Sequence, residues 1–243
     1  MTLSSTGSVA QCASDAGSTQ SYEKGPEAFS AFEAVRSRIS NVVSLQVEAD
    51  RGLDNLLAEV RACRACEAHL PLGPRPVLQA GAAARILIVG QAPSARVHAS
   101  GVPWDDRSGE RLRDWMNIDA SSFYDESRIA ILPMGYCYPG RAASGDRPPR
   151  RECAPLWLDR LLKHMPSIEL TLLVGRYAQA HFLDSAGSAS LTATMEAWRA
   201  HAPRFIPLPH PSPRNIAWFI ANPWFEGELL PVLRRNVNEL LGT

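Results

Sequence analysis

Apolar positions along this chain follow two rhythms. Between Pro26 and about Ala62 they recur every three or four residues: Phe29, Phe32, Val35 and Ile39, then Leu53, Leu56, Leu57 and Val60. That spacing predicts one or two amphipathic helices leading into a core. Beyond residue 84 short apolar runs alternate with helical patterns. "RILIVG" (85–90), "RIAILP" (128–133), "ELTLLVG" (169–175) and "RFIPLP" (204–209) are brief enough, and bounded by enough Gly and Pro, to be buried strands. Helical spacing marks 108–116 (with a Ser start), 153–165, 176–183, 191–200 and 223–241, the last with a kink expected at Pro231. Strands alternating with helices predict an α/β fold with a parallel sheet covered on both faces.

Two segments stand outside this alternation. Residues 68–84 hold too much Pro and Gly for a helix and read as an extended connection. Residues 1–25, rich in Ser, Thr, Gly and Gln, cannot bury enough surface to offset ordering entropy. Residues 1–50 are therefore expected to form a tail, disordered to partly helical, and 51–243 the folded domain.

The unusual residues cluster by position. "GQAPS" (90–94) follows the first strand, "MGYCYPGR" (134–141) the second, "GRY" the third and "HPSPRN" (210–215) the fourth. Ligands of open α/β sheets bind outside the carboxyl ends of the strands, so four odd loops there predict one site. The turn after the first strand lacks both the Gly-Lys-Ser/Thr ending of a phosphate loop and the three-glycine dinucleotide pattern, which disfavours nucleoside triphosphate or NAD. No Gly-x-Ser-x-Gly is present, which disfavours a serine hydrolase. In "HPSPRN" the prolines restrict the backbone around one imidazole. A lone histidine is ordinarily a core residue; its place at a strand end argues for function.

Composition narrows the class. With 45% hydrophobic and 21% charged residues in 243, the chain is of ordinary globular type. It has no run long enough for a membrane helix and no secretory leader pattern, and the expected location is cytoplasmic. The formal net charge is zero, and all basic side chains but Lys24 and Lys163 are arginine. Charge alone therefore does not indicate nucleic acid. Of five cysteines, Cys12 falls in the tail. Cys63 and Cys66 form a Cys-x-x-Cys, and Cys137 and Cys153 flank a Pro- and Arg-rich loop. Four thiolates can hold tetrahedral zinc or an iron–sulfur cluster; the bland alternative is that the last two are small buried side chains.

Taken in order, "GQAPS", "SGVPWDDRSGERLRDWM", the four cysteines, "LLVGRYAQAHFL" and "HPSPRN" resemble the uracil-DNA glycosylase superfamily over about residues 56–240. The likeness is to its iron–sulfur branch, family 4, with features of family 5. The resemblance implies a three-layer α/β/α sandwich around a mainly parallel four-stranded sheet. It also implies a monofunctional enzyme of base-excision repair that flips uracil, or another deaminated base, out of DNA and hydrolyses its N-glycosidic bond. His210 would stabilise the departing anion, Trp104 would stack on the base, and Gly90, Gln91, Ala92 and Pro93 would present backbone amides to its carbonyls. Ser212 would hold a phosphate and Arg214 would fill the vacated stack. Cys63, Cys66, Cys137 and Cys153 would hold a 4Fe-4S cluster, zinc being the alternative, that organises the Arg141–Arg151 loop. The partner would be damaged DNA, met by a monomer without membrane.

Two departures from family 4 matter. Gln91 stands where that branch has an acid, and Pro133 where it has an Asn that pairs with the uracil edge. Family 5 lacks both groups and uses a downstream aspartate, for which Asp106 is the candidate. The consequences expected are slow uracil removal or a shifted base preference. The rival readings are a weak or inactive uracil- or abasic-DNA binding protein of the same fold and, more distantly, a nucleoside hydrolase.

Overall fold

The four apolar runs form four strands that pair side by side: β1 (Ile86–Val89), β2 (Ile129–Ile131), β5 (Leu170–Val174) and β6 (Phe205–Leu208). In the computed structural model, which describes residues 51–143, 145–183 and 190–242, they make one all-parallel sheet in the order β2-β1-β5-β6. The register sets Ile86 beside both Ile129 and Leu170, and Thr171 beside Phe205. The expectations for residues 1–50, Cys12 included, lie outside the described residues.

Alternation along the strands creates the layers. Leu87, Val89, Ala130, Leu132 and Leu173 face one side, where they pack with Leu53, Leu56, Leu57 and Val60 of α1 (residues 51–61) and Leu158 and Leu161 of α5 (Cys153–Leu162). Ile86, Ile88, Ile131, Leu172 and Ile206 face the other. They meet Leu112 and Met116 of α3 (Arg107–Met116), Trp198 of α8 (Trp198–His201) and Leu233 and Val237 of α10 (Leu230–Leu241). Both faces are thus buried, as parallel strands require, and the result is a three-layer α/β/α sandwich. Each fully buried Leu or Ile contributes on the order of 1.5–3 kcal/mol.

Several elements differ from the sequence expectation. Helix α3 starts not at Ser108 but after Asp106, whose carboxylate accepts the Ser108 and Gly109 amides. An aspartate cap satisfies orphan first-turn donors, which a Ser inside the turn does not. The 191–200 helix is two short ones, α7 (Leu191–Glu196) and α8, broken at Ala197. The kink expected at Pro231 is a widened π turn over Phe225–Leu229 ahead of α10. Pro231 has no N–H and its ring crowds the carbonyl four residues back, so the turn before it opens. Helices α2 (Ala95–Ser100), α4 (Ala120–Phe123) and α9 (Ile216–Ala221) were unanticipated, as was a two-stranded hairpin, β3 (Arg141–Ala142) with β4 (Gly145–Asp146). Helix α6 (Arg176–Phe182) is as expected.

Residues 68–84 do run without helix beyond a single 3-10 turn at Glu67–His69. They end in an antiparallel bridge between Gln79 and Ile131, and the buried Gln79 amide donates to the Phe123 and Ile129 carbonyls. That covers the otherwise open edge of β2. Among the described residues no helix is long and apolar enough to cross a membrane.

Candidate active site

The chain leaves β1 toward β2 on one side and leaves β5 toward β6 on the other, so the switch of direction lies between β1 and β5. A crevice opens there at the carboxyl ends of the strands. It is a cleft of about 570 Å³, within the range of small-molecule and cofactor sites. Gly90, Gln91, Ala92, Pro93, Trp104, Asp106, His210, Ser212 and Arg214 all line it, as do Pro133 and Asp146. Two of the four loops named from sequence, 90–94 and 210–215, thus meet in one cavity, whereas no residue of 134–141 or of Gly175–Tyr177 lines it.

His210 is placed by the end of β6. Below it the buried Gln179 side chain donates to the Leu208 and Leu173 carbonyls, pinning β6 to β5, and the Gly175 amide donates to Leu208. Beyond it the Asn215 side-chain amide donates to the His210 carbonyl at 2.7 Å. Ser212 caps the 3-10 turn Pro213–Asn215 by accepting the Arg214 amide, which leaves its hydroxyl proton for an outside acceptor. The His210 ring stands 5.7 Å from the Trp104 ring at 35°, and its Nδ1 is buried with no partner among the described residues.

Burial lowers the His210 pKa; the Asp106 carboxylate pulls it back up and Arg214 pushes it down. The imidazole is therefore neutral at neutral pH. With the folded value below the unfolded one of 6.5, the unfolded chain binds more protons between the two. The stability contribution is complete above 6.5 and is lost as pH falls toward the folded value. Any rate that depends on neutral His210 should accordingly stay flat from pH 8 to below about 6.5 and drop only under it. A single-turnover pH–rate profile checks this; a fall already present between pH 8 and 7 would contradict it.

Trp104 adopts a left-handed backbone, φ +57°. Such a conformation costs about 1–3 kcal/mol in a non-glycine residue and persists only when its surroundings hold it. Gly90 makes room for the indole: a Cβ there would lie 3.0 Å from the ring. The Ser94 hydroxyl, which caps α2, also donates to Asp106 Oδ2 at 3.0 Å. Asp106 thus lies in the cleft with its oxygens taken up by two amides and a hydroxyl.

Gln91 faces the hairpin. Its side-chain amide donates to the Arg147 carbonyl at 3.0 Å, while its backbone carbonyl accepts the Gly135 amide. Three residues of this arrangement escaped the sequence reading. Asn215, the last letter of "HPSPRN", and Gln179, a polar residue set between two alanines in the 176–183 helix, each left a trace in the sequence. Asp146, inside the Pro- and Arg-rich loop, had no local signal.

The four cysteines come together elsewhere, around a small cavity between α1 and the Tyr136–Cys153 segment, with Arg150 and Trp157. All four are free thiols, and the Tyr136 amide donates to Cys153 Sγ at 3.3 Å. Burial pushes the Cys137 thiol up to about 11 and Cys153 to about 12. Among the described residues, no three His, Cys, Asp or Glu side chains are drawn tightly around a single ion.

The family model of the uracil DNA glycosylase superfamily matches residues 79–234. The match runs from the edge bridge at Gln79 into α10 and takes in every cleft loop described above. The sheet order, the strand-end cleft and this match agree, and the chain belongs to the uracil DNA glycosylase superfamily.

Proposed function

We propose that this protein is a monofunctional DNA glycosylase that hydrolyses the N-glycosidic bond of uracil, or another deaminated base, flipped out of DNA. The observation that carries the reading is the His210 imidazole, whose pKa burial lowers, lining the cleft beside the Trp104 ring and the Gly90–Pro93 turn. As the bond between base and C1′ breaks, negative charge collects on the base carbonyl next to the ring nitrogen. A neutral N–H fixed there in a closed pocket stabilises that charge without reorganising. His210 supplies the donor, and the Asn215 bond and the prolines hold it still. Trp104 offers a face for the flipped base, the Gly90–Pro93 turn offers amides to its carbonyls, and the Asp106 carboxylate favours the cationic sugar. Ser212 and Arg214 meet the phosphate backbone. Among the described residues no lysine lines the cleft, and a lysine is the amine that a strand-cleaving Schiff base requires.

Pro133 lacks an edge-reading amide, which favours tolerance among deaminated bases over strict uracil selection. It also keeps a second reading alive, a binder of damaged DNA without turnover. Oligonucleotides bearing uracil, hypoxanthine or xanthine, single- and double-stranded and under enzyme excess, separate the two. Abasic sites identify the enzyme; a mobility shift without them identifies the binder.

We further propose that Cys63, Cys66, Cys137 and Cys153 carry a 4Fe-4S cluster. Four free thiols around one cavity with a backbone N–H on one sulfur suit thiolate ligation. Bound, the cluster would supply no chemistry to the cleft; it would tie the loop between Cys137 and Cys153 to α1. Chain purified without oxygen should be brown and contain about four iron atoms. Cys63→Ser/Cys66→Ser should lose the iron and melt at lower temperature. A colourless chain with one zinc would select the alternative.

A further inference from the structure

Among the described residues two carboxylates border the cleft, Asp106 and Asp146, and they differ in how far their oxygens are already engaged. Asp106 accepts from Ser108 N, Gly109 N and Ser94 Oγ, and taking up a proton would undo the cap of α3. Asp146 sits at the end of β4, exposed and lining the cleft, and among the described residues no hydrogen bond or ion pair fixes its carboxylate. We propose that Asp146 is the group that orients and deprotonates the attacking water, and that Gln91 is its positioning residue. This rests on the glycosylase reading above.

The placement comes from the hairpin. Arg141 pairs with Asp146 and Ala142 with Gly145, and the Arg147 amide closes back onto the Gly140 carbonyl at 2.8 Å. The hairpin is too short to hold itself. Its anchor is the Gln91 amide, which grips the Arg147 carbonyl one residue past Asp146. Its other support is Gly145, whose backbone lies against the Arg214 guanidinium so closely that a Cβ would come within 2.3 Å of it. Asp146 therefore hangs between the turn after β1 and the loop after β6, where a carboxyl faces the same space as His210. Position 91 carries no acid, yet its amide ties down the segment that brings an acid to the same cleft.

The carboxyl has suitable chemistry. The cleft walls raise its affinity for a proton, Arg214 and Arg141 lower it, and Asp106 raises it again. In the step itself the C1′–N bond breaks and its electron pair goes to the base, where the His210 N–H stabilises it. The water oxygen bonds to C1′, and the water proton passes to Asp146. The base anion takes a proton from solvent on release.

The test is single-turnover base release with Asp146→Asn, Asp146→Glu, Gln91→Ala and the double variant Gln91→Ala/Asp146→Asn, with affinity for abasic DNA measured alongside. Removing a general base costs about 10²–10⁴-fold. D146N should lose at least about 10²-fold with abasic-DNA affinity equal or tighter, and D146E should recover part of the rate. Q91A should lose less than D146N, and the double variant should be no slower than D146N alone, because the two act as one unit. A D146N rate within about threefold of wild type, or a loss explained wholly by weaker DNA binding, overturns the assignment while leaving the glycosylase reading intact. A wild-type chain that releases no base from any lesion overturns both.

Discussion

His210→Ala should release base about 10²–10³-fold more slowly than wild type in single turnover, the loss associated with one preorganised donor to a developing anion, about 2.7–4 kcal/mol. The fold should hardly notice. Nδ1 of this ring is buried without a partner among the described residues, and burial favours the neutral ring, so its removal relieves a desolvated polar atom as well as leaving space. DNA affinity should also persist, because Ser212 and Arg214 are untouched. His210→Asn, which keeps an N–H donor in roughly the same place, should recover part of the rate. A rate for H210A within a few-fold of wild type would remove the imidazole from the mechanism, and a parallel fall in melting temperature would reassign it to structure.

How far the sequence could reveal this site depends on the range of the forces involved. The four strands and most long helices were legible because burial on a parallel sheet imposes continuous apolar runs and helical spacing on neighbouring residues. His210 and the turn at Gly90 were legible because each sits at a strand end beside a Gly or Pro that restricts the backbone locally, whereas Trp104 entered only through the family resemblance. Asp106 was legible as a cleft residue, but its service as the cap of α3 was hidden: the rule that Ser starts helices competes at Ser108, two residues later, and only geometry decides. Asp146 was invisible for a stronger reason. Its position depends on a hydrogen bond from Gln91, far away in the chain, and on packing against Arg214 from a third loop. Gln91 illustrates the same limit: read alone it is an acid lost, while in the fold it is a tether. The short α9 escaped because its apolar residues Ile216 and Ile220 remain exposed and give no buried stripe.

Gly109→Ala should be among the most damaging single-methyl changes in the protein. Inside a helix this substitution normally stabilises by about 1 kcal/mol, since glycine has the greater entropy to lose. Here packing opposes propensity and is larger. A Cβ on Gly109 would lie 1.8 Å from the Trp104 carbonyl oxygen and 2.7 Å from its carbon, both backbone atoms with no flexible end to swing aside. Relief requires moving Trp104 away from α3 or α3 away from the sheet. Trp104 is already in a left-handed conformation that only its surroundings maintain, and the Gly109 amide is one of two that hold Asp106. Overpacking of this kind costs about 1–3 kcal/mol, so the melting temperature should fall by several degrees. The base-release rate should fall further, about 10²-fold, because a shift of about 1 Å in the stacking platform misplaces the base against His210. Gly227→Ala is the control: a Cβ there meets nothing within 4 Å, and both rate and melting temperature should hold. Wild-type behaviour from Gly109→Ala would mean that Trp104 can move freely, and with that freedom the indole could not be the surface against which a flipped base is fixed.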